Sequence, residues 1–403
     1  MKLCNTCREL KPYDEYYKKI DTKDGYRNDC KACFLEKKRK AREEADQELV
    51  EENIKLARKT QGAQDRNRIA NKAFREKARY ENAVTEYSRE LVNVLNGYEF
   101  KTSPKRVETV GATGVMHLTD LHFNELVDLA HNKYDFTIAG KRLRMYAHKA
   151  MRHFRAEGIS NVFIAFTADL MNSDRRLDEL LAMATNRARA TVLAVDILSQ
   201  LIIEVAEEFN VTVGWVCGNE GRVGRELGFQ EEMASDNYDE TIMRTLALLF
   251  KDSERVEFVK PTDPLELVVE ISGQNLLLIH GHSFGKDIEK GVHKVVAKYS
   301  AQGVKIDYVI SGHLHMAFIS DIFARGSSPV GDNAYSSKGL NLYGRASQNF
   351  YVFYENGNRD GIKVDLQHYK CVAGYETDKT LHSYNIKSAE KARPHTTIHR
   401  IVI

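Results

Sequence analysis

Long apolar runs are missing from this chain. No segment approaches the ~18–20 consecutive apolar residues of a membrane span, so no membrane segment is expected. The start, Met1-Lys2-Leu3-Cys4, lacks the apolar stretch of a secretory signal, which makes an intracellular, cytoplasmic setting the expectation. An excess of one charge is missing too. With 59 Lys and Arg against 57 Asp and Glu the net charge is +2, so any nucleic-acid affinity must come from local patches and not from the field of the whole chain. Internal repeats are absent. Between residues 34 and 96 there is no proline and a single glycine, Gly62, amid Ala, Glu, Lys, Arg and Gln. Strong helix formers over that length predict one long helix or a helical hairpin broken near Gly62. Apolar positions there are too sparse for a sustained heptad.

At 403 residues, 42% of them hydrophobic, the chain can hold a sizeable core and two or three domains at about one per 150 residues. Four parts are expected: a module over 1–40, a helical basic arm over 41–100, a large domain over 104–370 and a tail over 371–403. The large domain begins where composition changes at Thr102-Ser103-Pro104. Strand-like and helical runs then alternate to about residue 370, which argues for an α/β layered domain, its largest helix between Arg176 and Phe209.

The six cysteines are unevenly placed. Cys4, Cys7, Cys30 and Cys33 form two Cys-x-x-Cys pairs separated by 22 residues, while Cys217 and Cys371 stand alone. In a reducing compartment such pairs hold zinc more often than they form disulfides. Four thiolates satisfy tetrahedral Zn²⁺ completely, so the site would be structural. Cations and aromatics surround it: Arg8, Tyr16-Tyr17-Lys18-Lys19, Tyr26-Arg27 and the run Lys37-Lys38-Arg39-Lys40. With Lys11-Pro12, Asp24-Gly25 and Cys30-Lys31-Ala32-Cys33, residues 1–40 resemble the small zinc modules at the start of some phage-encoded nucleases. That resemblance implies a phage-encoded protein acting in a host cytoplasm. Further on, Lys55 to Arg79 carries nine basic residues, among them Lys55, Arg58, Lys59, Arg66, Arg68, Lys72 and Arg75, against Asp65 and Glu76. Such an arm can track a phosphate backbone, present a solvated face, or serve homo-oligomerisation. Val84, Tyr87, Leu91, Val92 and Leu95 recur at helical spacing and are expected to dock the arm's end.

Five clusters of metal-ligand type follow. They are Asp120-Leu121-His122, Asp169, Gly218-Asn219-Glu220, His280-Gly281-His282 and Gly312-His313-Leu314-His315, and each comes after a short apolar run such as Val162–Phe166 or Leu276–Ile279. Runs of that kind read as buried strands, which puts the clusters on loops along one rim of a sheet. Asp120, His122, Asp169, Asn219, His280, His313 and His315 offer oxygen and imidazole without thiolate, which suits first-row divalent metals: manganese first, with iron, nickel or zinc as alternatives. Seven ligands fit two ions. A pair of ions ~3.5–4 Å apart can polarise a phosphoryl group, generate hydroxide near neutral pH and stabilise the leaving oxygen.

In this order the clusters resemble the calcineurin-like metallophosphoesterases, whose members include DNA repair exonucleases. The resemblance covers about residues 113–320 and implies a two-sheeted β-sandwich flanked by helices. It implies that Asp120, His122, Asp169 and His315 hold one metal and Asp169, Asn219, His280 and His313 the other. Two positions depart from the pattern. Ala168 stands for the usual glycine before Asp169, and Glu220 for the histidine that stabilises or protonates in the family. Glu220 could act as an acid if its pKa were raised, orient a water, or pair with Arg222. Arg222 and Arg225 are candidates for phosphate contact. The zinc module and arm favour a DNA nuclease, exo- or endonucleolytic, with RNA as the alternative polymer. A phosphodiesterase for small or cyclic nucleotides and a nucleic-acid-binding scaffold with a vestigial centre are the competing readings.

Overall fold

The computed structural model describes residues 1–97, 111–224, 229–259, 261, 263–285, 287–334, 336, 343–369 and 373–389; the side chains of residues 46, 48, 49, 63, 72–97 and 231 are not described. The cations Lys72 and Arg75, the stripe from Val84 to Leu95, the boundary at Thr102–Pro104, Arg225 and Cys371 therefore fall outside the described residues or side chains. Two compact units divide the chain, Met1–Asn82 and Ala83–Ile403.

In the first unit β1 (Lys2–Leu3) pairs antiparallel with β2 (Leu10–Lys11) around the Cys4–Cys7 turn. A 3-10 turn (Tyr13–Glu15) leads to β3 (Tyr16–Lys18), paired with β4 (Tyr26–Cys30), which runs straight into α1 (Lys31–Gly97). One thiol pair thus comes from a hairpin turn and the other from a strand end and a first helical turn. The apolar core is tiny, Cys4, Tyr16 and Cys30, with the Tyr16 hydroxyl donating to the Lys2 carbonyl at 2.8 Å. Helix α1 passes through Gly62 without a break, so of the two sequence-based alternatives the single long helix is the one formed. A lone interior glycine costs about 1 kcal/mol, too little to interrupt so long a run of helix formers.

The second unit opens with β5 (Ala112–Leu118), a two-stranded hairpin of β6 (Val127–Asp128) and β7 (Lys133–Tyr134), and α2 (Phe136–Ala156). Then come β8 (Asn161–Phe166), α3 (Leu177–Leu181), α4 (Arg187–Ala206), β9 (Asn210–Trp215), α5 (Glu231–Ser235), α6 (Tyr238–Leu249) and β10 (Val256–Phe258). The remainder is β11 (Glu266–Ile271), β12 (Gln274–Ile279), α7 (Ile288–Ala301), β13 (Tyr308–Ser311), β14 (Phe318–Ile319), β15 (Phe323–Arg325), β16 (Ser347–Tyr354), β17 (Arg359–Asp365) and α8 (Asp378–Tyr384). Helix α4 lies inside the stretch Arg176–Phe209 where the domain's largest helix is expected, starting at an Asn186 cap on the Arg189 amide, and at 20 residues it is one shorter than α2.

Two sheets form, in the orders β10-β9-β8-β5-β16-β17 and β11-β12-β13-β15-β14. Strands β5, β8, β9 and β10 are mutually parallel, as are β12, β13 and β15. Period-two alternation assigns each side chain a layer. Met116, Leu118, Ile164, Phe166, Phe350 and Val352 face α2, α4 and α6, whereas Val115, Phe163, Ala165, Tyr351 and Phe353 face Leu276, Leu278, Tyr308 and Ile310 of the other sheet. Leu277, Ile279 and Val309 point the opposite way, onto Val292 of α7. The unit is a four-layer αββα sandwich, the two sheets flanked by helices that the metallophosphoesterase resemblance implies. Part of the segment set apart as a tail belongs to it: Tyr375, Leu381, Tyr384 and Ile386 are buried in the α2–α4 core. Among the described residues no helix is long and apolar enough to cross a membrane.

Packing at the middle of the helical face is tight. Phe154 of α2 meets Phe209 and Phe350 edge-on, and it lies so close over Gly114 of β5 that a Cβ there would come within 2.8 Å of the ring. A Phe154→Ala chain is expected to lose ~3–5 kcal/mol of stability, read from urea denaturation, because neither backbone can move in to fill the space.

Candidate metal centre

Every cluster ligand sits just past the C-terminal end of a parallel strand: Asp120 after β5, Asp169 after β8, Asn219 after β9, His280 after β12 and His313 after β13. The rim expected on one sheet is shared by two, three loops from one and two from the other. The sandwich closes the two sets on each other.

The local backbone is unusual. Asp120, His122, Ala168, Asp169, His313 and His315 all have positive φ, between 41° and 76°. Non-glycine residues in that region cost roughly 1–2 kcal/mol each and persist where surrounding contacts over-determine them. Those contacts are present. The Asp120 amide donates to the Ala168 carbonyl at 3.0 Å, the His122 amide to the Asp169 carbonyl at 3.0 Å and the Gly312 amide to the His280 carbonyl at 2.9 Å. At Ala168 φ is +76°, a conformation that glycine takes freely and alanine does not. Gly218 answers a different need, since a Cβ there would collide with the Asp169 carboxylate.

Two triads result. Asp120, His122 and His315 converge on one point, and Asp169, His280 and His313 on another, each with ligand atoms within 4.8 Å of one another. His122 Nε2 and His315 Nε2 face each other at 3.0 Å, with Asp120 Oδ1 3.4 Å from His315 Nε2. In the second triad His280 Nε2 lies 2.8 Å from Asp169 Oδ2 and 3.0 Å from Asn219 Oδ1, while its Nδ1 is held by the Thr167 carbonyl at 2.8 Å. That last bond keeps a proton on Nδ1, so that once Nε2 gives up its own proton its lone pair faces inward, the arrangement a ligating histidine requires.

The electrostatics fit cations. Burial alone would raise Asp169 and Asp120, but His280 and His315 respectively hold both below the usual carboxylate range. Burial alone would depress His280, yet the Asp169 carboxylate overrides it and pushes it up to about 10. His122 and His282 are pulled down to about 4, chiefly by burial, and so stay neutral. Two buried carboxylates, with His280 and His315 drawn toward the charged form beside them and His122 and His282 held neutral, make a centre whose protons two first-row divalent ions could replace.

Around the triads lie groups that sequence reading missed. Asp239, fully buried at the start of α6, accepts the Asp169 and Gly218 amides at 3.0 Å and the Leu170 amide at 2.9 Å, tying two ligand loops together. Asn237 donates to the Gly218 carbonyl, and Arg187 to the Glu220 and Arg222 carbonyls. Glu220 pairs not with Arg222 but with Arg175, at 3.1 Å. No spacing singles these out; they are known by what they touch. His282, outside the ligand pattern, lies tilted to His280 and edge-on to His313, with ring centroids 5.5 and 6.3 Å away. His117 is structural, between Thr167 Oγ1 and Tyr351. A cleft of about 630 Å³ opens over the centre, lined by His122, Asp169, Glu220, His313 and His315, and also by Arg176 paired with Glu179.

In the first unit the four thiols Cys4, Cys7, Cys30 and Cys33 also lie within 4.8 Å of one another. Burial alone would raise Cys4, but the amides of Cys30, Cys7 and Thr6 bring it down to about 6, so a thiolate is available. The all-sulfur set fits one structural Zn²⁺. Lys55, Arg58, Lys59, Arg66 and Arg68 are exposed on α1.

No protein-family model matches the sequence, and no curated protein does. Solved structures resemble it distantly. Zinc-bound Vps29 from Entamoeba histolytica is 12% identical, with 63% of this chain and 99% of that one covered and a TM-score of 0.27. A predicted phosphoesterase from Streptococcus pneumoniae is 12% identical over 64% and 100%, with a TM-score of 0.26. A 5'-nucleotidase from Candida albicans is 11% identical over 70% and 55%, with a TM-score of 0.30. Likenesses this faint carry no functional weight, and the chemistry rests on the residues themselves.

Two outcomes are expected. Asp239→Asn sets an amide donor against a backbone donor and should weaken Mn²⁺ binding roughly 10–100-fold in a metal titration. Cys30→Ser should abolish the structural zinc, measured as bound zinc per chain by elemental analysis.

Proposed function

We propose that the second unit is a metal-dependent phosphodiesterase whose substrate is nucleic acid, DNA in the first place, in the manner of a DNA repair exonuclease. The observation that carries this reading is the convergence of the two triads, with the His122 and His315 nitrogens facing at 3.0 Å. Asp120, His122, Asp169 and His315 would hold one ion and Asp169, Asn219, His280 and His313 the other, with Asp169 common to both. Bound there, divalent ions, Mn²⁺ before Fe, Ni or Zn, supply Lewis-acid polarisation of a phosphoryl oxygen and a hydroxide nucleophile at neutral pH. The protein's part is to fix the ligands, turn the imidazoles inward and aim cations at the phosphate.

Support for a polymer comes from the first unit. Arg27 lies 4.0 Å over the Phe34 ring and Lys31 5.7 Å over Tyr17, cations and aromatics of the kind that meet phosphates and bases. Exposed cations continue along α1. A second reading, a small or cyclic nucleotide, is favoured by the size of the cleft over the centre, about 630 Å³, which is that of a small-molecule pocket.

The test is release of labelled nucleotides from single- and double-stranded DNA in Mn²⁺, beside a small phosphodiester reporter. DNA cleavage is expected, and Asp169→Asn should lower it by more than roughly 100-fold, the upper end for losing a group that only supports a metal ligand. Reporter turnover without DNA cleavage would overturn the nuclease reading in favour of the small nucleotide.

A further inference from the structure

Glu220 follows a ligand position directly, where the family pattern has histidine, and both of its carboxylate oxygens are engaged. Oε1 accepts from Asn219 Nδ2 at 2.6 Å and Oε2 from Arg175 Nη2 at 3.1 Å. The first contact decides which way the Asn219 amide points. With Nδ2 held by the carboxylate, Oδ1 is the atom turned to His280 Nε2 at 3.0 Å, and an amide ligates a cation only through its oxygen. The second contact anchors Arg175, whose Nε is fixed by Ser173 Oγ at 3.1 Å. The remaining guanidinium nitrogen, Nη1, is buried without a partner, as are Arg222 Nε and His282 Nδ1. Arg222 is within electrostatic reach of both Arg175 and His282. Unpartnered buried donors of this kind are costly unless an acceptor arrives, and a phosphoryl group carries several.

We infer that Glu220 is a positioning residue, holding Asn219 in its ligating orientation and Arg175 in place, and that Arg175, with Arg222 and His282, receives the non-bridging oxygens of the substrate phosphate. This rests on the phosphodiesterase reading above and deepens it. It also accounts for the departure from the pattern. A histidine offers a single acceptor nitrogen, whereas a carboxylate offers two oxygens and can hold an amide and a guanidinium at once.

The full chain is titrated calorimetrically with Mn²⁺, and the Mn²⁺-loaded protein with inorganic phosphate; the pH–rate profile on the phosphodiester reporter is taken at saturating Mn²⁺. Arg175→Ala should leave Mn²⁺ affinity within about twofold and weaken phosphate roughly 10–100-fold, the range for a charge-assisted hydrogen bond. Glu220→Gln, with one acceptor where two are needed, should weaken both, Mn²⁺ by roughly tenfold or more. Its rates should fall while the limbs of the pH profile stay where they are in the wild type. Unchanged phosphate affinity in Arg175→Ala overturns the substrate contact. Unchanged Mn²⁺ affinity in Glu220→Gln, or loss of a pH limb, overturns the positioning role and makes Glu220 a proton donor instead. Arg175→Lys keeps the charge but not the fork, and a phosphate affinity between wild type and Arg175→Ala supports the contact if the alanine chain folds poorly. Both binding readouts are independent of turnover. A wild-type chain that binds as described yet hydrolyses no phosphodiester therefore supports the arrangement while overturning the activity.

Discussion

Two carboxylates buried almost completely, Asp120 and Asp169, set the terms for the rest of the second unit. An ionised carboxylate removed from water is unstable unless countercharge and hydrogen bonds replace the solvent. The surrounding structure is arranged to provide both. Imidazoles from the opposite sheet stand within 2.8 to 3.4 Å of them, and backbone amides are turned toward the lone pairs: His313 N to Asp120, Glu220 N to Asp169. At His313 the amide so turned belongs to one of the left-handed residues, and the others let the ligand loops bond backbone to backbone around the centre.

The sandwich architecture makes that requirement satisfiable. Parallel strands deliver successive loops to the same end of a sheet, and stacking two such sheets brings loops from residues 120, 169 and 219 against loops from 280 and 313. The apolar layers do little chemistry but decide the spacing: Phe163, Tyr351 and Phe353 against Leu278, Tyr308 and Ile310 hold the sheets apart at the depth of interdigitated side chains. Asp239 then locks the Asp169 and Asn219 loops at the level of the backbone. The zinc module solves a smaller version of the same problem. Its apolar core is three residues, too few for a stable fold, and its four thiols are placed for a metal to substitute for the missing burial.

Much of this was legible from residue order. Residue types, their order and the apolar run before each are local patterns, so Asp120, His122, Asp169, Asn219, His280, His313 and His315 could be named as candidate ligands and their loops placed at strand ends. The Cys-x-x-Cys pairs and the long proline-free helix were equally local. Propensity left one choice open at Gly62, because a single glycine is compatible with both a straight helix and a hairpin, while the long helix expected between Arg176 and Phe209 formed there as Arg187–Ala206.

By itself, then, the sequence determined which atoms could bind metal and that strands would carry them, since a side chain's chemistry and a strand's alternation are properties of a few neighbouring residues. Only the tertiary structure decided who meets whom. Glu220 finds Arg175 across 45 positions and Asp169 finds Asp239 across 70, and the rim that looked like one sheet's belongs to two. Such contacts depend on how layers stack, and a buried polar group takes whichever donor the packed layers place beside it. No local pattern encodes that choice.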